Sequence, residues 1–177
     1  MRFVAFLRAI NVRGHPMIRM HELRAAFEAA GCGEVRSFIQ SGNILFDADS
    51  DLALEQAERA VATFGTGARV FVRRLDALRD LAHRNPLDAY TGDRSLKLYV
   101  AFLSAPPAEP IALPIVDEKE RLEIVEVARE EAFVVSRRKP SGIYGFPNNL
   151  VERRLGVTAT ARNWNTLLKL LAFAARG

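Results

Sequence analysis

The chain has 177 residues, 49% of them hydrophobic and 26% charged, which is enough for one domain or two small ones packed together. A single cysteine, Cys32, excludes an internal disulfide framework and fits a reducing cytoplasm. The formal net charge is +4, but residues 117–131 hold seven acids against three bases, whereas from residue 132 onward eight bases face Glu152 alone.

Phe3-Val4-Ala5-Phe6-Leu7, between Arg2 and Arg8, is too short for a signal-peptide core or a membrane span and is expected to form a strand of a cytoplasmic protein. Leu23, Phe27 and Ala30 recur at helical spacing from Met20 to Ala30, with Gly31 as the stop. Val35–Ile39 and Ile44–Phe46 are short strands joined by Gln40-Ser41-Gly42-Asn43, a hairpin turn in which glycine supplies the positive φ. A helix is expected from Leu52 to Phe64, with Asp51 as its N-cap, then a strand at Val70-Phe71-Val72. This βαββαβ order predicts a ferredoxin-like half, an antiparallel sheet with two helices on one face.

Leu75–Arg84 is expected to be a connecting helix ended by Asn85-Pro86, and Tyr90-Thr91-Gly92-Asp93 marks the boundary, giving halves of 1–91 and 92–177. The second half opens with a strand at Leu96–Leu103. Pro106, Pro107, Pro110 and Pro114 then allow only a short helical piece. Leu122–Val127 and Phe133–Ser136 form a hairpin, and helices at Asn148–Leu155, stopped by Gly156, and Asn163–Ala174 close the chain. The resulting βαββαα order echoes the first half with its last strand missing. The fold class expected is α+β, two ferredoxin-like halves with antiparallel sheets.

Polar specificity groups concentrate in Thr158–Thr166. Asn163 or Thr160 can cap the final helix, Arg162 can pair with a carboxylate or phosphate, and Trp164 can stack on a flat group. Equally, Trp164 shares a helical face with Leu167, Leu168 and Leu171 and fits a core position, while Asn163, Asn165 and Thr166 can satisfy nearby backbone. Arg8 and Asn11 follow the first strand, and Gln40, Ser41 and Asn43 sit on the hairpin tip. If these loops converge with Arg162-Asn163, they form an amide-rich ligand pocket. Arg137, Arg138, Lys139, Arg153, Arg154 and Lys169 are the candidate basic surface; scattered arginines that merely solvate helices are the bland alternative.

Four motifs, in order and over essentially the whole chain, carry a family resemblance: Leu7-Arg8-Ala9-Ile10-Asn11-Val12, Met20-His21-Glu22-Leu23-Arg24, Phe38-Ile39-Gln40-Ser41-Gly42-Asn43 and Thr160-Ala161-Arg162-Asn163-Trp164-Asn165-Thr166. Together they resemble the bacterial family known as domain of unknown function 1697. The resemblance implies an α+β protein of two ferredoxin-like halves and implies no activity. The chain departs from that pattern where Ala9 and Arg13 replace glycines. It departs again where Gly145-Phe146-Pro147-Asn148 stands in place of a Ser-Lys pair, so that Arg153 or Arg154 would have to supply any anion contact made by that lysine.

Catalytic and metal-binding patterns are missing from the sequence. His15, His21 and His83 have no paired spacing, and Cys32 between Gly31 and Gly33 has no neighbouring base. Ser41-Gly42 lacks a strand-to-helix setting, and Ser141-Gly142-Ile143-Tyr144-Gly145 lacks the spacing and lysine of a phosphate loop. Asp47, Asp49 and Asp51 lack the glycine and terminal glutamate of a calcium loop. No catalytic residue, metal or cofactor is assigned. The expectation is a binding protein for an anionic partner, such as single-stranded nucleic acid held by the basic third with Trp164 or Tyr144. A small-molecule enzyme or binder with a polar Arg/Asn/Gln pocket, and an interaction module that uses sheet edges, are the alternatives. No heptad or seam indicates an oligomeric state.

Overall fold

The structure, a computed structural model, describes residues 1–10, 17–40 and 42–176. It comprises two compact units, one of residues 1–80 together with 170–177 and one of residues 81–169.

The first unit contains β1 (Arg2–Arg8), α1 (Met20–Ala29), β2 (Gly33–Phe38), β3 (Asn43–Asp47), α2 (Ala53–Ala62) and β4 (Arg69–Arg74). All pairings are antiparallel, in the order β2-β3-β1-β4 of a ferredoxin-like sheet. Alternation on β1 and β3 sends Phe3, Ala5, Leu7, Ile44 and Phe46 to one face, where Leu23 and Phe27 of α1 and Ala53, Ala57 and Val61 of α2 cover them. Phe27 meets Phe46 edge-on at 5.4 Å. The apolar run of β1 is buried on its other face too, through Val4 and Phe6. Gly31 ends α1 with φ +93°, as expected. The cap of α2 falls on Leu52, not Asp51, and carries no side-chain hydrogen bond.

The helix α3 (Leu75–Arg84) stops at Asn85, which takes a positive φ before Pro86. The second unit then holds β5 (Lys97–Leu103), β6 (Ile115–Asp117), β7 (Leu122–Ala128), β8 (Glu131–Ser136), α4 (Asn148–Leu155), β9 (Ala159–Asn163) and the start of α5 (Trp164–Ala174). Its sheet order is β6-β7-β8-β5-β9. Without the short β6, the order β7-β8-β5-β9 repeats β2-β3-β1-β4 position for position, again all antiparallel.

Two expectations are corrected here. The strand missing from the second half is present: Ala159–Asn163 is β9, paired with β5 from Tyr99↔Asn163 to Leu103↔Ala159, and α5 begins only at Trp164. The proline-punctuated segment forms no helix and instead delivers the three-residue edge strand β6, because proline removes the backbone donors a helix needs. One face of the second sheet packs Tyr99, Ala101, Leu103, Ile124 and Val134 against Leu150, Val151 and Leu155 of α4. No helix among the described residues is long and apolar enough to cross a membrane.

Candidate functional site

In the second unit, the turn before β5, the first turn of α5 and the loop after β8 enclose a cleft of about 370 Å³. Its walls include Asp93, Arg94, Lys97, Tyr144, Asn163 and Asn165, with Leu96, Leu98 and the edge of Trp164 as the apolar part. The wall from Asp93 to Lys97 is locally ordered: Asp93 Oδ1 accepts from Ser95 N at 2.8 Å and from Ser95 Oγ at 2.6 Å. These two bonds, the hydroxyl first, hold the Asp93 carboxyl below the usual carboxylate range. Tyr144 donates its hydroxyl to Ser95 O at 2.7 Å, and Lys97 Nζ lies 4.6 Å from the centre of the Tyr144 ring. Neither Arg94 nor Lys97 has a carboxylate partner among the described residues.

The final motif occupies this wall in divided roles. Asn163 ends β9 and caps α5, its Oδ1 accepting from Asn165 N at 3.0 Å. Trp164 is 2% exposed and meets Phe133 edge-on at 6.2 Å. Asn165 is exposed and Thr166 half-buried. Arg162 is also half-buried; its Nη1 donates to Thr160 Oγ1 and to Ala161 O, both at 2.9 Å, and desolvation draws its guanidinium down to about 10.

In the first unit the end of β1 and the β2–β3 turn lie together, joined by Leu7 N donating to Gly42 O at 2.8 Å. Arg8 stands opposite Arg69 in register, and Gln40 is exposed on the turn. Asn43 is fully buried and its Nδ2 donates to Phe38 O at 3.3 Å, which serves the turn itself. Asn11 and Ser41 lie outside the described residues.

Three of the six residues of the candidate basic surface are ion-paired. Arg137 pairs with Glu123 at 2.7 Å, Lys139 with Glu120 at 2.5 Å and Arg153 with Asp117 at 3.0 Å. Arg138 Nε donates to Gly142 O within its own loop. Arg154 and Lys169 are exposed on helices. The acidic stretch 117–131 and the basic residues after it, separate blocks in sequence, thus meet as ion pairs where β7 pairs with β8 and where α4 lies near the end of β6.

Arg94, Lys97 and Asp93 escaped the sequence reading. The signal was there in outline, a short polar turn entering an apolar strand. It carried no weight because nothing local joins it to residue 144 or residue 163.

A family model described as "Protein of unknown function (DUF1697)" matches residues 1–133. Among solved structures, that of the conserved bacterial protein SP0830 from Streptococcus pneumoniae is similar over 97% of each chain, with a TM-score of 0.64 and 18% identity, and so shares the fold. No curated protein matches the chain.

Proposed function

The chain belongs to the DUF1697 family, and from that premise we propose that it is a binding protein for a small anionic ligand, held in the cleft at the start of α5. The observation that carries this is the contrast in charge. Arg94 and Lys97 line a cleft without carboxylate partners, while Arg137, Lys139 and Arg153 are ion-paired. An anion entering the cleft gains Coulomb attraction from two cations held in no ion pair among the described residues, opposed in part by the Asp93 carboxylate on the same wall. The first turn of α5 adds a positive helix end, a contribution secondary to the two side chains. The single cysteine supports the cytoplasm, a reducing compartment, as the place to look for the ligand.

Single-stranded nucleic acid is the weaker reading. A four-stranded ferredoxin-like sheet binds bases by stacking them on an open face. Here the face of the first sheet opposite α1 and α2 is buried at Val4, Phe6, Leu45 and Phe71. Phe38 on that face packs at 5.3 Å against Phe173. Pairing through sheet edges has less support still, since β6 is three residues long and β4 bears Arg69, Arg73 and Arg74.

The test uses Trp164, the only tryptophan, whose emission reports on the cleft. Titration with inorganic phosphate or pyrophosphate at low salt should change that emission saturably. Arg94→Ala or Lys97→Ala should weaken binding about tenfold, near 1.4 kcal/mol, without lowering the melting temperature. Absence of any saturable response to these anions, in emission and in calorimetry, sinks the proposal. An oligonucleotide that binds with a steep salt dependence, unaffected by either variant, would restore the nucleic-acid reading.

A further inference from the structure

We infer that the ligand is a nucleoside 5′-monophosphate, an inference that rests on the cleft being the anion site proposed above. At about 370 Å³ the cleft has the room of roughly a dozen waters, so an inorganic anion would leave most of it unfilled. It falls instead at the lower end of the range for small-molecule sites, about 300–1,000 Å³.

The lining of the cleft joins charge to an aromatic and apolar surface. Arg94 and Lys97 supply the charge, and the Tyr144 ring, Leu96 and Leu98 share the same lining. A ligand that answers this lining carries both an anionic group and a flat apolar one, as a phosphate joined to a base does. Lys97 sits over one side of the Tyr144 ring, so the charge and the ring are adjacent in the cleft. The ring is fixed by its hydroxyl on Ser95 O, so a base stacking on it meets a surface already ordered.

Both hydrogen bonds from Ser95 to Asp93 end on Oδ1, leaving Oδ2 as an acceptor for a sugar hydroxyl. An ionised carboxylate among cations has little use in a site for bare phosphate. It suits a phosphate ester that also carries hydroxyls.

The experiment titrates the full chain at low salt, by Trp164 emission and by calorimetry, with inorganic phosphate, ribose 5-phosphate, adenosine and adenosine 5′-monophosphate. The monophosphate should bind about tenfold or more tighter than phosphate or adenosine, with ribose 5-phosphate between them. Tyr144→Leu should bring the monophosphate down to the affinity of ribose 5-phosphate and leave inorganic phosphate unchanged. Tyr144→Phe, which keeps the ring, should stay within about threefold of the parent, and this separates ring loss from damage to the loop. If phosphate and the monophosphate bind within about twofold of each other, the inference fails and the anion site stands. If none of the four binds, the anion site fails with it. Tight monophosphate binding that survives Arg94→Ala and Lys97→Ala overturns both.

Discussion

Ala9 takes φ +63° and Ile39 φ +51°, the left-handed region in which a β-carbon crowds the following carbonyl. Glycine at position 9, the residue found in the related pattern, therefore has a backbone reason. Ala9→Gly should stabilise the protein by up to about 1 kcal/mol, read as a rise of a few degrees in melting temperature. The reverse case is Gly42, at φ +72°, where an added Cβ would sit 2.6 Å from Ile10 Cδ1 and 3.0 Å from Leu7 Cβ. Gly42→Ala should cost about 2 kcal/mol or more in a denaturant titration. Cys32 is a different residue-scale case: burial pushes its thiol up to about 11, against a smaller opposing effect of Arg59. At pH 8 its thiolate fraction falls roughly a hundredfold below that of a free cysteine near pKa 8.5, so reaction with a disulfide reagent should be slow until the protein unfolds. The sign follows for stability. The folded state holds this proton longer, so the contribution of Cys32 is whole below about pH 8.5 and is lost as pH rises through about 11.

At the scale of elements, β9 and α5 show how one short motif serves two purposes. Ala159–Asn163 closes the second sheet, and Asn163 turns the chain and caps the helix that follows. Asn163→Ala should cost about 1 kcal/mol through the lost cap. Asn163→Asp keeps the capping oxygen, so it should retain the melting temperature while its added negative charge weakens phosphate binding in the cleft. If both variants lose binding and stability together, the residue is architectural only. The loop after β8 is held by a close approach: Gly145 lies where a Cβ would come within 2.5 Å of Glu120 O, and Ser136 Oγ donates to Gly145 O at 3.0 Å. Helices and hairpins with strong periodicity or glycine stops, such as Met20–Ala29 and the β7–β8 hairpin, were legible in sequence. The strand β9 was not. Ala-Thr-Ala-Arg-Asn has neither a branched apolar run nor a clear alternation, and its pairing depends on β5 some sixty residues earlier in the chain.

In the first unit the local sequence determined the order of elements: apolar alternation, helical spacing and turn glycines specify βαββαβ, because these signals act over a few residues, whereas in the second the same signals left out β9 and allowed a helical piece that does not form. It also determined that Trp164 would stand at a helix start, and left open whether the ring was buried. Tertiary structure decided that question, placing Trp164 against Phe133 and leaving its edge on a cleft. It decided the charge pattern as well. Blocks of acid and base that suggested an electropositive face in sequence are joined across the β7–β8 hairpin and its loops and between β6 and α4, and the cations left without carboxylate partners in the cleft are Arg94 and Lys97, in a turn that no motif marked. The physical reason is range. Propensity and periodicity are properties of neighbours along the chain, whereas burial, ion pairing and the walls of a site depend on distances that only the folded chain sets.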